Sequence, residues 1–150
     1  MNKFDSIEEV LNYAIEREIE SNQFYKDLAA KMDYPVMRKV FEKFAKEELG
    51  HKAKLEAMKK GKHVKPASVV RDLHIADYIV DVEPAPPVDY RDALIIAMKK
   101  EKASYRLYID LSEQIADEKQ KKTFLTLAQE EAQHKLRFEV EYEKEILKEA

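Results

Sequence analysis

The sequence predicts an all-α fold, a bundle of four helices made from two helical hairpins, and three observations carry that expectation. The 150 residues include only two glycines and five prolines, and three of the prolines fall together at Pro84, Pro86 and Pro87, so long stretches run without a helix breaker. Those stretches carry apolar residues at a helical period. The chain also repeats itself. Glu48-Leu49-Gly50-His51 returns 83 positions later as Glu131-Ala132-Gln133-His134. At the same shift Leu11 returns as Leu94, Ala14 as Ala97, Glu18 as Glu101, Ser21 as Ser104, Tyr25 as Tyr108, Leu28 as Leu111, Phe41 as Phe124 and Ala45 as Ala128. An internal duplication of one helical hairpin, without a gap inside either copy, accounts for this pattern.

The first helix starts at an N-cap of Asp5 or Ser6, with Glu8 and Glu9 placed for a capping box. Ile7, Leu11, Ala14, Ile15, Tyr25, Leu28, Ala29 and Met32 form its apolar stripe, and Glu18 falls inside that stripe. Asp33-Tyr34-Pro35 is the break, because proline disfavours a helical residue before it and suits the first position of a new helix. In the second helix Met37, Val40, Phe41, Phe44, Leu55 and Met58 face inward with Glu48 and His51, and Gly61 ends it. From about residue 61 to 88 the chain reads as one long crossover, holding Pro66, the proline cluster and the apolar residues Val69, Val70, Leu73, Ile75, Ile79 and Val80, with a short helix expected around 68–80. Asp89 caps the third helix, whose inner stripe is Leu94, Ala97, Met98, Tyr105, Tyr108, Leu111 and Ile115, again interrupted by a glutamate, Glu101. A tight turn at Ala116-Asp117 leads to the fourth helix, where Phe124, Leu127, Ala128 and Phe138 face inward with Glu131 and His134. Its last stretch, Glu141-Tyr142-Glu143-Lys144-Glu145, reads as a solvated helix end. A single domain over residues 1–150 is expected, with hairpins at about 5–60 and 89–148.

Each hairpin turn lies midway between two glutamates: residue 33 between Glu18 and Glu48, residue 116 between Glu101 and Glu131. Residues equidistant from the turn of an antiparallel hairpin sit at one height, here roughly 22 Å from the turn at 1.5 Å per residue. Residues three apart share a helix face, so Glu48 and His51 project together, as do Glu131 and His134. Packing both hairpins with their stripes inward brings four carboxylates and two imidazoles to one point. An unpaired buried charge costs several kcal/mol, and neighbouring carboxylates disfavour each other's ionisation. Protonation is one relief. Two divalent cations, which balance four negative charges, are a fuller one, and mixed nitrogen and oxygen ligands suit iron or manganese better than magnesium or calcium.

Composition narrows the function classes. With 27 Lys and Arg against 30 Asp and Glu, both signs are interspersed and no basic face stands out, which argues against nucleic acid as the main partner. No apolar run is long enough to span a bilayer and no signal-peptide pattern is present, so the chain reads as cytoplasmic, with no membrane partner. Cysteine is absent, which removes disulfides, thiolate zinc sites and a Cys₄ iron centre and leaves histidine and carboxylates as the strong metal ligands.

On these residues the chain resembles the ferritin-like di-iron carboxylate proteins, and among them the rubrerythrin-like branch. The resemblance covers all four helices and rests on Glu18 with Tyr25, Glu48 with His51, Glu101 with Tyr108, and Glu131 with His134. It implies a ferritin-like four-helix bundle with one long crossover between helices two and three. It also implies two bound iron ions, with Glu48 and Glu131 bridging, Glu18 and Glu101 as terminal ligands, and His51 and His134 ligating one metal each. Tyr25 and Tyr108 read as core aromatics, as donors to a ligand carboxylate, or as redox-active phenols. Glu47 and Glu130 read either as solvated neighbours or as acceptors for the ring N–H of His134 and His51 respectively. His63 and His74 do not repeat and read as ordinary surface or packing residues.

Two departures from the rubrerythrin pattern stand out. Ser104 occupies the place where rubrerythrins carry a further carboxylate, and no cysteine is present to build a rubredoxin module. A storage cage is not expected either, because cage ferritins add a short fifth helix. The expected function is a di-iron oxidoreductase in which ferrous iron reacts with dioxygen or hydrogen peroxide, by rubrerythrin-like peroxide reduction or as a ferroxidase, with an external electron donor. The alternatives are an iron-binding protein that oxidises or buffers iron without turnover, a manganese-dependent catalase-like activity, and a bundle in which metal only supports the fold. The apolar crossover points to a homodimer, with exchange of hairpins between copies as one form of it.

Overall fold

The computed structural model describes residues 7–61 and 90–148. Among them the chain forms four α-helices, α1 (Ile7–Lys31), α2 (Pro35–Gly61), α3 (Tyr90–Glu113) and α4 (Glu118–Lys148). The expectations for the caps at Asp5, Ser6 and Asp89, the side chain of Ile7, the crossover with its short helix, and His63 and His74 lie outside the described residues. No helix among those described is long and apolar enough to cross a membrane. By their contacts the described residues group into two compact units, one holding α1, α2 and residues 114–120, the other holding α3 and α4 from residue 121 onward.

In the first unit α1 and α2 pack as a hairpin. The Met32 amide closes the end of α1 on the Ala29 carbonyl at 3.3 Å, and the Arg38 amide opens α2 on the Tyr34 carbonyl at 3.0 Å. Tyr34 is therefore the N-cap and Pro35 the first helical residue, where its missing N–H and fixed φ cost nothing. Arg38 also reaches back, its Nε and Nη2 donating to the Met32 carbonyl at 3.1 and 2.7 Å. That fills an acceptor which a helix end leaves open, and it ties both sides of the turn to one guanidinium.

The hairpin core is Val10, Leu11, Ala14, Tyr25, Leu28, Ala29 and Met32 from α1 with Met37, Phe41, Phe44, Ala45 and Leu55 from α2. Ile15, Val40 and Met58, expected on the inner stripes, sit at their flanks and are half-buried. The Tyr25 ring stacks on Phe41 with centroids 6.1 Å apart, and lies edge-on to Phe44 at 6.2 Å and tilted to Phe24 at 5.5 Å.

In the second unit α3 buries Ala93, Leu94, Ile96, Ala97, Ala103, Leu107, Tyr108 and Leu111, while α4 buries Phe124, Leu127, Ala128 and Phe138. Tyr108 stacks on Phe124 at 6.4 Å. At the start of α4 the Asp117 carboxylate accepts the Gln120 amide at 3.0 Å, an N-cap bond to the third helical residue.

Two expectations are corrected here. Tyr105 is not on the inner stripe and is 38% exposed. The stripe runs through Ser104 and Tyr108, and a residue next to Ser104 is turned about 100° round the helix from it. Glu141 is not solvated but buried, one turn beyond Phe138, and it is held by Arg137 at 3.0 Å and Lys144 at 3.6 Å.

Phe41 has no exposed surface and anchors the aromatic cluster. Phe41→Ala is expected to lower unfolding free energy by about 3–5 kcal/mol in denaturant titrations. Gly50 is exposed in mid-helix, and an added Cβ meets nothing within 4 Å. Gly50→Ala is expected to raise stability by about 0.5–1 kcal/mol in the same assay.

Candidate metal centre

The glutamates that interrupt the apolar stripes meet the histidines within each hairpin. Glu18 comes from α1, Glu48 and His51 from α2, and all three are buried. His51 Nδ1 lies 3.4 Å from Glu18 Oε2 and 3.5 Å from Glu48 Oε1. The three-residue spacing joins Glu48 to His51 along one helix, and the register set by the turn brings Glu18 across from the other. The α3/α4 hairpin repeats the arrangement with Glu101, Glu131 and His134, also buried. His134 Nδ1 lies 3.5 Å from Glu101 Oε1 and 3.4 Å from Glu131 Oε1. The match between the two triads is within 0.1 Å at each corresponding distance.

Each triad offers one nitrogen and two carboxylate groups, with the ligand atoms within 4.8 Å of one another. Ligands about 2.1 Å from a first-row divalent ion lie at most about 4.2 Å apart. Small side-chain movements therefore suffice to close either triad round a cation. The donor set fits as well: imidazole with carboxylates is ligation suited to iron, manganese or zinc. Both imidazoles turn Nδ1 toward the carboxylates, which leaves Nε2 on the far side of each ring. Two carboxylates buried against one imidazole carry excess negative charge when both are ionised, and a bound cation supplies what the apolar surroundings do not.

The neighbouring groups sort less evenly. Tyr25 and Tyr108 are fully buried with their rings stacked in the aromatic core. Ser21 and Ser104, one turn past Glu18 and Glu101, are buried as well. Glu47 and Glu130 are half-buried. The phenol of Tyr13 on α1 is held protonated above its ordinary range, chiefly by burial, with the charge of Arg17 opposing and that of Glu20 adding to the shift. One contact near the first triad has no signal in the sequence. Asn22 Nδ2 donates to the Ala45 carbonyl across the hairpin at 2.7 Å.

A family model described as rubrerythrin matches residues 9–142 of the chain. Among solved structures, a candidate ferritin-like diiron-carboxylate protein of Thermotoga maritima superposes with a TM-score of 0.83 at 20% identity, covering 97% of this chain and 99% of that one. A hypothetical protein of Pyrococcus furiosus superposes with a TM-score of 0.76 at 28% identity, covering 93% of this chain and 89% of that one. No curated protein matches. The likeness to the Thermotoga structure is one of fold, and the fold is the ferritin-like, all-helical one that the sequence predicts.

Buried carboxylates at a candidate metal centre are expected to give apo and metal-loaded protein opposite responses to one substitution. Glu131→Gln is expected to stabilise the chelator-treated protein by about 1–2 kcal/mol, because a neutral amide is easier to bury than a carboxylate. The same variant is expected to lose most of the rise in melting temperature that metal produces. For the unaltered protein that rise is about 5–10 °C at a free metal concentration of about 100 Kd. Thermal melts with and without chelator check both.

Proposed function

The chain belongs to the rubrerythrin family, and on that premise we propose that its two triads together form one di-iron centre where ferrous iron reacts with hydrogen peroxide or dioxygen. The observation that carries this reading is the pair of matched, buried triads, each with Nδ1 facing two carboxylates. In it Glu18, Glu48, Glu101 and Glu131 would hold the two ions with His51 and His134, and the family resemblance would make Glu48 and Glu131 the shared carboxylates, Glu18 and Glu101 the terminal ones, and His51 and His134 a ligand of one ion each. Four carboxylates balance two divalent ions, so the loaded centre is neutral and its burial carries no net charge.

When bound, the metal pair supplies a redox couple and open coordination positions for the oxidant. The chain's own residues hold the charge balance, keep the ligands away from bulk water, and set the spacing. Reduction of one peroxide to two waters takes two electrons and two protons. An external donor returns the electrons, since no cysteine is present to hold a Cys₄ iron centre in this chain. Manganese fits the same ligands.

Ser104 favours a second reading. It is buried and neutral one turn past Glu101, so it adds no further charge to stabilise an oxidised centre. In that reading iron is a substrate, oxidised once per site without turnover.

Anaerobic loading with ferrous iron is expected to give two ions per chain. Addition of peroxide with a reductant is expected to give an oxidised absorption spectrum and repeated turnover. Oxidation that arrests after one event per site would assign the stoichiometric reading, and absence of uptake would overturn both. Glu48→Gln and Glu131→Gln are expected to cut the rate by more than the roughly 10–100-fold that follows loss of a ligand's outer partner.

A further inference from the structure

We propose that the two triads, alike in their ligands, bind metal unequally, and that Asn22 is the positioning residue that makes the α1/α2 triad the tighter of the two. This rests on the di-metal reading above. Asn22 stands one turn after Glu18 on α1, and Ala45 stands one turn before Glu48 on α2. The 2.7 Å bond from the Asn22 amide to the Ala45 carbonyl therefore spans the hairpin within a turn of both glutamates. The carbonyl has two lone pairs, so it can take this bond in addition to its own helical one. A directional bond to a backbone atom resists axial sliding in a way that apolar packing does not. A slip of one residue is about 1.5 Å, enough to break the 3.4 Å approach of Glu18 to His51.

The second half does not repeat this bond at the equivalent positions. At the 83-residue shift Asn22 and Ala45 become Tyr105 and Ala128. Ala128 is buried as Ala45 is, but Tyr105 is 38% exposed and carries no amide. The packing beneath the ligands differs in the same direction. Phe24, Phe41 and Phe44 surround Tyr25. In the other half Leu107 and Leu127 stand where Phe24 and Phe44 do, and Tyr108 stacks on Phe124. Rigid rings and a cross-helix hydrogen bond hold the first triad in place before metal arrives, so less ordering opposes binding there. The first ion enters the α1/α2 triad and the second enters the α3/α4 triad.

The test is anaerobic titration of the full chain with Co(II), read by calorimetry and by the visible bands that report coordination. The unaltered protein is expected to show two steps at least about tenfold apart in affinity. His51→Ala is expected to remove the tighter step and His134→Ala the weaker one, which assigns them. Asn22→Ala and the isosteric Asn22→Asp are each expected to weaken the tighter step at least about tenfold and to move the weaker one by a clearly smaller factor. Asn22→Asp adds a negative charge near the site, so a loss of affinity there reports position and not charge. Melts of the metal-free variants show that each remains folded. Two equal steps in the unaltered protein, or Asn22 variants that weaken both steps alike or neither, would overturn the inequivalence while leaving the di-metal reading intact. Failure to bind Co(II) at all would overturn both.

Discussion

The constraint on which the rest of this structure depends is the expense of placing four carboxylates inside a helical protein. An ionised carboxylate is stable in water and costly in a hydrocarbon environment unless a charge of opposite sign stands beside it. The helices make room for the ligands by interrupting otherwise regular apolar stripes, once on α1 and α3 with a glutamate, and twice on α2 and α4 with a glutamate and a histidine. Helices suit the task because their backbone groups are satisfied internally, so polarity in the core is confined to the side chains that need it. The conflict between burial and charge is a local departure from an otherwise consistent core, and such departures are where proteins keep function at the expense of stability.

The turns carry as much of the site as the ligands do. Glu18 meets His51 because the α1/α2 connection has one length and one geometry, fixed by the Tyr34 cap, Pro35 at the first helical position, and the Arg38 guanidinium on the Met32 carbonyl. An extra residue in that connection would shift one helix by about 1.5 Å and rotate its face by about 100°. The Asp117 cap fixes the start of α4 in the same way. Residues about 22 Å away from the ligands thereby decide whether the ligands meet.

Much of this was legible in the sequence, for identifiable reasons. The helices and the breaks between their hairpin partners could be read from Pro35 and Asp117, because these residues act through local backbone chemistry that needs no tertiary information. The two triads could be read because duplication states each of them twice and the turn midpoints give their heights. What could not be read depended on small angular offsets or on side chains with long reach. Tyr105 is apolar enough to be placed on the inner stripe, yet a single step from Ser104 carries it outward. Glu141 looks like one member of a charged run, but Arg137 and Lys144 make its burial tolerable. The Asn22 brace left no trace at all, because its position in the other half is a tyrosine and repetition pointed away from it.

The division of each triad between two helices decides which of its contacts depend on the hairpin. Two of the three groups in each triad sit three residues apart on one helix, so their proximity depends on that helix alone and not on closure of the hairpin. Only Glu18 and Glu101 reach their histidines across the hairpin, at 3.4 and 3.5 Å, so a change in either turn is felt in each triad at that one approach.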